Sequence, residues 1–191
     1  MKNTVFALLI TPILLSACGG AADDHTEENV KTDTVSLDFS DMKAFSFEDY
    51  GLDLEVLLPQ VESSTGNSID PTVDHEDGDY LWYLSIGPRF NLVVEDFGKD
   101  FDKVKNEKDR LDDLSDIFVV EYLVDEPNLI MYRRTLHKDQ GGTKSYHCYG
   151  EVKIGDYNYV LKSQDEGGLK PIIEDMVMTI RSAKSLMNKN S

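Results

Sequence analysis

Cysteine is nearly absent: Cys18 and Cys148 are the only two in 191 residues, which excludes a disulfide framework and leaves stability to a hydrophobic core. Basic residues are also scarce. Nineteen Lys and Arg stand against 36 Asp and Glu, a formal net charge of -17, and so acidic a surface repels phosphate backbones and argues against nucleic acid as a partner. No apolar run approaches the roughly 20 residues that a membrane-spanning helix needs. Neither a G-x-S-x-G nucleophile elbow nor an H-E-x-x-H metal motif occurs, and no phosphate-cradling glycine loop is present. The four histidines, His25, His75, His137 and His147, lack the spacing that puts two ligands on one helical face, so neither zinc nor any other cofactor is expected.

The start of the chain carries a different kind of signal. Lys2 precedes residues 5–15 (VFALLITPILL), an 11-residue apolar stretch of the length of a secretion signal. Leu15, Ser16, Ala17, Cys18 and Gly19 follow, and this run resembles the lipobox of bacterial lipoproteins. Small residues beside the scissile bond admit a membrane peptidase, and a thiolate can form the thioether to a diacylglycerol. The resemblance implies that residues 1–17 are a cleaved signal and that Cys18 becomes a lipid-bearing N-terminus attached to a membrane. Several acyl chains, each contributing about 0.8 kcal/mol per buried CH₂, make such a tether stable.

Residues 18–41 are then expected to be a lipidated, acidic, flexible linker. Within them residues 19–36 carry five acids, one Lys and no Phe, Tyr or Trp, too little apolar area to order themselves. Asp23, Asp24, Glu27 and Glu28 resemble export signals that place lipoproteins on the surface of some Gram-negative bacteria; a linker without sorting meaning is the alternative. The expected location is the cell envelope at the outer membrane, with surface display under the first of these readings.

Residues 42–191 are expected to form a single domain. Short β-prone runs at residues 44–47 and 52–58 flank Gly51, whose tolerance of positive φ suits a tight turn. Residues 62–79 hold six acids and no Lys or Arg and are expected to be a polar loop. Strands are expected at residues 80–86 and 90–95. The period then changes: Phe101, Val104, Leu111 and Leu114 form one helical stripe interrupted by Lys108, predicting an exposed amphipathic helix over residues 98–115. Residues 117–124 (IFVVEYLV) are apolar at both alternating positions, which predicts a strand covered on both faces. Strands over 129–136, 144–154 and 157–163 follow, the last two joined by a tight Gly155-Asp156 turn, as an antiparallel meander. A helix beginning near Pro171 is expected to carry Leu169, Ile172, Ile173, Met176, Val177, Ile180, Ala183 and Met187 against the sheet.

The fold class is therefore α+β: a mainly antiparallel sheet with an amphipathic helix and a C-terminal helix packed on it. This order of elements, with the local patterns FSFEDYGLDLEVLLP and IIEDMVMTIRS, resembles the PsbP-like α/β/α sandwich over roughly residues 42–187. That superfamily is largely non-enzymatic, and the resemblance implies a binding or assembly role. It carries no functional residue over to this chain.

Three local features invite chemistry. Residues 145–149 (SYHCY) place an imidazole beside a thiol, yet successive strand residues point to opposite faces, so His147 and Cys148 are not expected to act as a base and nucleophile pair. His147, Tyr149, Arg133 and Tyr159 share one face if the register allows, making a patch for a ligand or a hydrogen-bonded covered surface. Asp74, Glu76, Asp77, Gly78 and Asp79 suggest an oxygen-rich calcium loop, although placing Gly78 at the sixth position makes Val73 the first ligand and breaks the EF-hand rule. The leading expectation is a non-enzymatic, lipid-anchored module that binds a protein or small molecule. An envelope hydrolase using a carboxylate or His147, and a weak divalent-cation-binding module, are the alternatives.

Overall fold

The computed structural model describes residues 38–187 apart from residues 65, 139 and 140. The expected signal, Cys18 and nearly all of the expected linker lie outside the described residues. The chain forms β1 (Met42–Ser46), a turn of 3-10 helix (Glu48–Tyr50), β2 (Glu55–Pro59), β3 (Thr72–Asp74), β4 (Leu81–Ile86) and β5 (Phe90–Asp96). It continues with α1 (Lys103–Asp113), β6 (Phe118–Glu126), β7 (Leu129–Leu136), β8 (Lys144–Ile154), β9 (Tyr157–Ser163) and α2 (Lys170–Arg181).

β1 and β2 pair as a separate hairpin whose turn includes Gly51 at φ 81°, as its sequence suggested. The other seven strands make one wholly antiparallel sheet in the order β3-β4-β5-β9-β8-β7-β6. The α+β class holds, with the two helices on opposite faces. Because strand side chains alternate, registers such as Leu84 opposite Leu92 and Val94 opposite Leu161 collect aliphatic groups on one side.

There α2 turns Ile173, Met176, Val177 and Ile180 onto Leu84, Leu92, Leu129, Met131 and Leu161, and the β1-β2 hairpin adds Phe47, Leu54 and Val56. Each such side chain contributes about 1.5–3 kcal/mol when withdrawn from water. Gly150 makes the close approach possible: a Cβ there would lie 2.4 Å from Cγ2 of Ile180. Leu169 precedes α2 in extended conformation, Pro171 stands in its first turn, and the helix ends at Arg181, so Ala183 and Met187 lie beyond it. After that end, Lys184 bridges to Glu55 of β2, and Asp53 accepts from the Ser185 hydroxyl at 2.7 Å and the Leu186 amide at 2.8 Å.

The other face is covered only in part. α1 buries Val104 and Leu111 over Ile130 and Tyr132. Its first-turn amides are satisfied from the sheet: Glu151 of β8 accepts from the Lys103 and Val104 N–H groups at 2.9 and 3.4 Å, placing a negative charge at the positive helix end. Fully buried Asn158 steadies that carboxylate, its Nδ2 donating to Glu151 Oε1 at 2.9 Å and to the Asp100 carbonyl at 2.7 Å.

Four expectations need correction. The acidic loop contains β3, a three-residue strand at one sheet edge that local composition concealed. The first helix is 11 residues long, and its inward position between Val104 and Leu111 is Glu107, with Lys108 at the rim beside Asp125. The terminal helix is shorter than its apolar stripe suggested. The apolar strand 117–124 is not covered on both faces: β6 is the other sheet edge, and Val119 (54% exposed) and Leu123 (39%) reach solvent. A bulge between Tyr122 and Val124 explains how it is used, because the extra residue returns Val124 to the α2-side core and sends Asp125 towards α1.

Candidate functional site

The uncovered part of the α1 face is a polar cleft. Tyr132 and Arg134 on β7, Ser145, His147 and Tyr149 on β8, and Lys162 on β9 alternate towards it, because Tyr132 pairs with His147, Arg134 with Ser145 and Tyr149 with Lys162. Glu107 and Arg110 descend from α1, and Glu95 and Asp165 complete the lining of a cavity of about 360 Å³.

Most of these charges are matched inside the cleft. Arg110 donates to both Glu107 oxygens, at 2.6 and 2.7 Å, a bidentate contact that holds the guanidinium charged, and Tyr132 donates to the same carboxylate at 3.1 Å. Lys162 meets Glu95 at 2.8 Å. Burial, reinforced by Glu107, pushes the Tyr132 phenol well above its ordinary range, and burial does the same to Tyr149.

His147 lies parallel to the Tyr132 ring, with centroids 5.1 Å apart, and its Nε2 is 2.7 Å from the Ser145 hydroxyl. Burial and the positive charge of Arg134 bring its pKa down to about 4 against the pull of Asp165, so the imidazole is neutral at pH 7. The 164–168 loop closes over it at Gly167, where φ is +72° and an added Cβ would sit 2.5 Å from His147 Cε1. Only glycine fits both demands.

Arg134 and Asp165 differ from the other charges. Arg134 stacks on Phe118 at 4.5 Å and donates to the Asp165 backbone carbonyl at 2.8 Å, while its Nε is buried without a partner. Neither its guanidinium nor the Asp165 carboxylate has an oppositely charged side chain within 4.0 Å among the described residues.

Of the four residues proposed for one patch, the structure brings His147 and Tyr149 together and separates the other two. Arg133 pairs with Tyr146, and Tyr159 with Val152, so both face the α2 side, where Arg133 meets Glu121. Their places are taken by Arg134, one residue on, and by Lys162. A slip of one residue exchanges the faces of a strand, and composition alone does not fix which alternate is inward. Cys148 points away from His147 into the apolar core, where burial pushes its thiol up to about 12. In the acidic loop His75 stacks on Trp82 at 4.5 Å, and among the described residues no three His, Cys, Asp or Glu side chains converge as metal ligands.

A second cavity, of about 460 Å³, lies between α2 and the β4-β5 turn, walled by Val61, Ile69, Ile86, Phe90 and Ile172. Asp175, whose pKa burial raises, stands at its side. It offers apolar contact with few directing groups, whereas the cleft offers donors and acceptors in fixed positions. No protein-family model matches the chain, and comparison with curated proteins returns no match.

Proposed function

We propose that the chain is a non-enzymatic lipoprotein of the bacterial cell envelope, tethered to a membrane through lipid on Cys18, whose folded unit binds a small polar ligand in the cleft beneath α1. The lipobox resemblance at residues 15–19 supports the tether. Among the described residues no helix is long and apolar enough to cross a membrane. The PsbP-like resemblance supports a binding role.

The observation that carries the reading is the polar cleft itself. A face needed only for stability packs more cheaply with aliphatic side chains, as the α2 face does, whereas half-buried charges incur desolvation that a ligand can offset. A thermal-shift screen of the full-length protein in detergent against polar metabolites checks this: a stabilising compound whose effect is lost in Tyr149→Ala supports it. Mass spectrometry of protein from its native host checks the tether, which an unmodified Cys18 thiol overturns.

The Ser145–His147 contact at 2.7 Å favours one second reading, a hydrolase with Ser145 as nucleophile. Against it, an imidazole of pKa about 4 is a weak base, and among the described residues no carboxylate is hydrogen-bonded to its other nitrogen. Labelling of Ser145 by a fluorophosphonate, lost in His147→Ala, would establish it over the first.

A further inference from the structure

We propose that the cleft takes a small zwitterion of the α-amino-acid class, its carboxylate on the Arg134 guanidinium and its ammonium group on the Asp165 carboxylate. This rests on reading the cleft as a ligand site and adds the ligand's charge pattern.

The argument starts from the charges already in use. Arg110 is held by Glu107 and Lys162 by Glu95, so capturing a ligand with either cation means breaking an existing pair. Among the described residues Arg134 and Asp165 are the cleft charges without such a partner, and they are neighbours: the guanidinium of one is bonded to the backbone carbonyl of the other at 2.8 Å. The cleft thus presents one uncommitted charge of each sign, side by side.

Arg134 is also positioned before any ligand arrives. Its Cζ sits 4.5 Å over the Phe118 ring, and of its five N–H donors the only one with a protein partner among the described residues goes to that carbonyl. A fixed fork with spare donors suits a carboxylate, which accepts two parallel bonds. The Asp165 carboxylate is near enough to Arg110 and His147 to act on both electrostatically, yet it is bound to neither.

A ligand with a single charge leaves the other protein charge unmatched, which matters for the half-buried Arg134 and less for Asp165, exposed at the cleft rim. A molecule carrying both charges a few bonds apart matches both without adding net charge. The neutral His147 ring stacked on Tyr132, together with Tyr149, supplies walls for the remainder of the ligand.

Calorimetric titration of the full-length protein in detergent tests this with L-serine, L-glutamine and L-tyrosine, each beside its decarboxylated amine and its deaminated acid. At least one amino acid is expected to bind with unit stoichiometry, about tenfold or more tighter than either counterpart. Arg134→Gln and Asp165→Asn should each remove about tenfold or more of that affinity while leaving the unliganded melting curve nearly unchanged. Equal binding of an acid or amine counterpart, lost in Arg134→Gln, overturns the zwitterion while leaving the cleft a ligand site. Amino-acid binding unaffected by both substitutions overturns the assignment to this cleft. Silence from every probe overturns the zwitterion, and a failed metabolite screen as well removes the ligand reading beneath it.

Discussion

The two faces of the seven-stranded sheet are built on different principles. On the α2 face, Leu, Ile, Val, Met and Phe side chains from five strands, a helix and a separate hairpin close a continuous apolar core. On the α1 face the buried cluster among the described residues is Val104, Leu111, Ile130 and Tyr132, and the surrounding area is given to ion pairs, tyrosines and a histidine. Dense apolar packing stabilises without chemical selectivity, whereas directed polar groups add little net stability and define what can bind. The first face holds the fold, and the second is the one we propose to bind a ligand.

The largest expected effect tests the first half of that contrast. Leu161→Ala, at a fully buried position of the α2 face, should cost about 3 kcal/mol in urea unfolding. On the other face Glu107→Gln removes the charge opposite Arg110 and weakens an acceptor for Tyr132. Since Arg110 is itself 53% exposed, the loss should be about 1–2 kcal/mol. A cost equal to that of Leu161→Ala would erase the distinction between the faces.

Smaller effects sharpen it. Glu151→Ala uncaps α1 and should cost about 1 kcal/mol, with faster hydrogen exchange at the Lys103 and Val104 amides than at strands β8 and β9.

His147 adds a pH signature on the same face. Its folded pKa of about 4 lies below the ordinary 6.5, so between these values the unfolded chain binds more protons. The stability it contributes is complete above pH 6.5 and is lost as pH falls towards 4. The fall attributable to this residue should be about 3 kcal/mol across the whole window and should be missing from the pH profile of His147→Phe. At the exposed strand edge, Val119→Lys should change stability by less than about 0.5 kcal/mol, which chemical denaturation would read as no shift.

Much of the fold is legible in local patterns. Alternation and turn residues place the meander and its Gly155 hairpin, and the period of the last apolar stretch places α2, because these depend on neighbours a few residues away. β3 escaped because three residues are too few to show alternation. The length and inward face of α1 escaped because its apolar stripe is sparse and Glu107 sits within it. β6 misled because edge and centre are set by topology, and an apolar strand at an edge reads like one at a centre.

The cleft was half legible: His147 and Tyr149 stood out as polar and aromatic residues in a β-prone run. Arg134, Lys162, Glu107 and Asp165 carried no such mark, since charged residues are ordinary on surfaces.

Determined by the sequence alone were the acidity of the chain, the class of its fold and the exclusion of a disulfide framework, which follow from composition and short-range period. Decided only in three dimensions were the strand register, the edge position of β6 and the meeting of Arg134 with Asp165. These depend on which distant segments return to lie side by side, and one residue of slip would turn each strand's inward set outward.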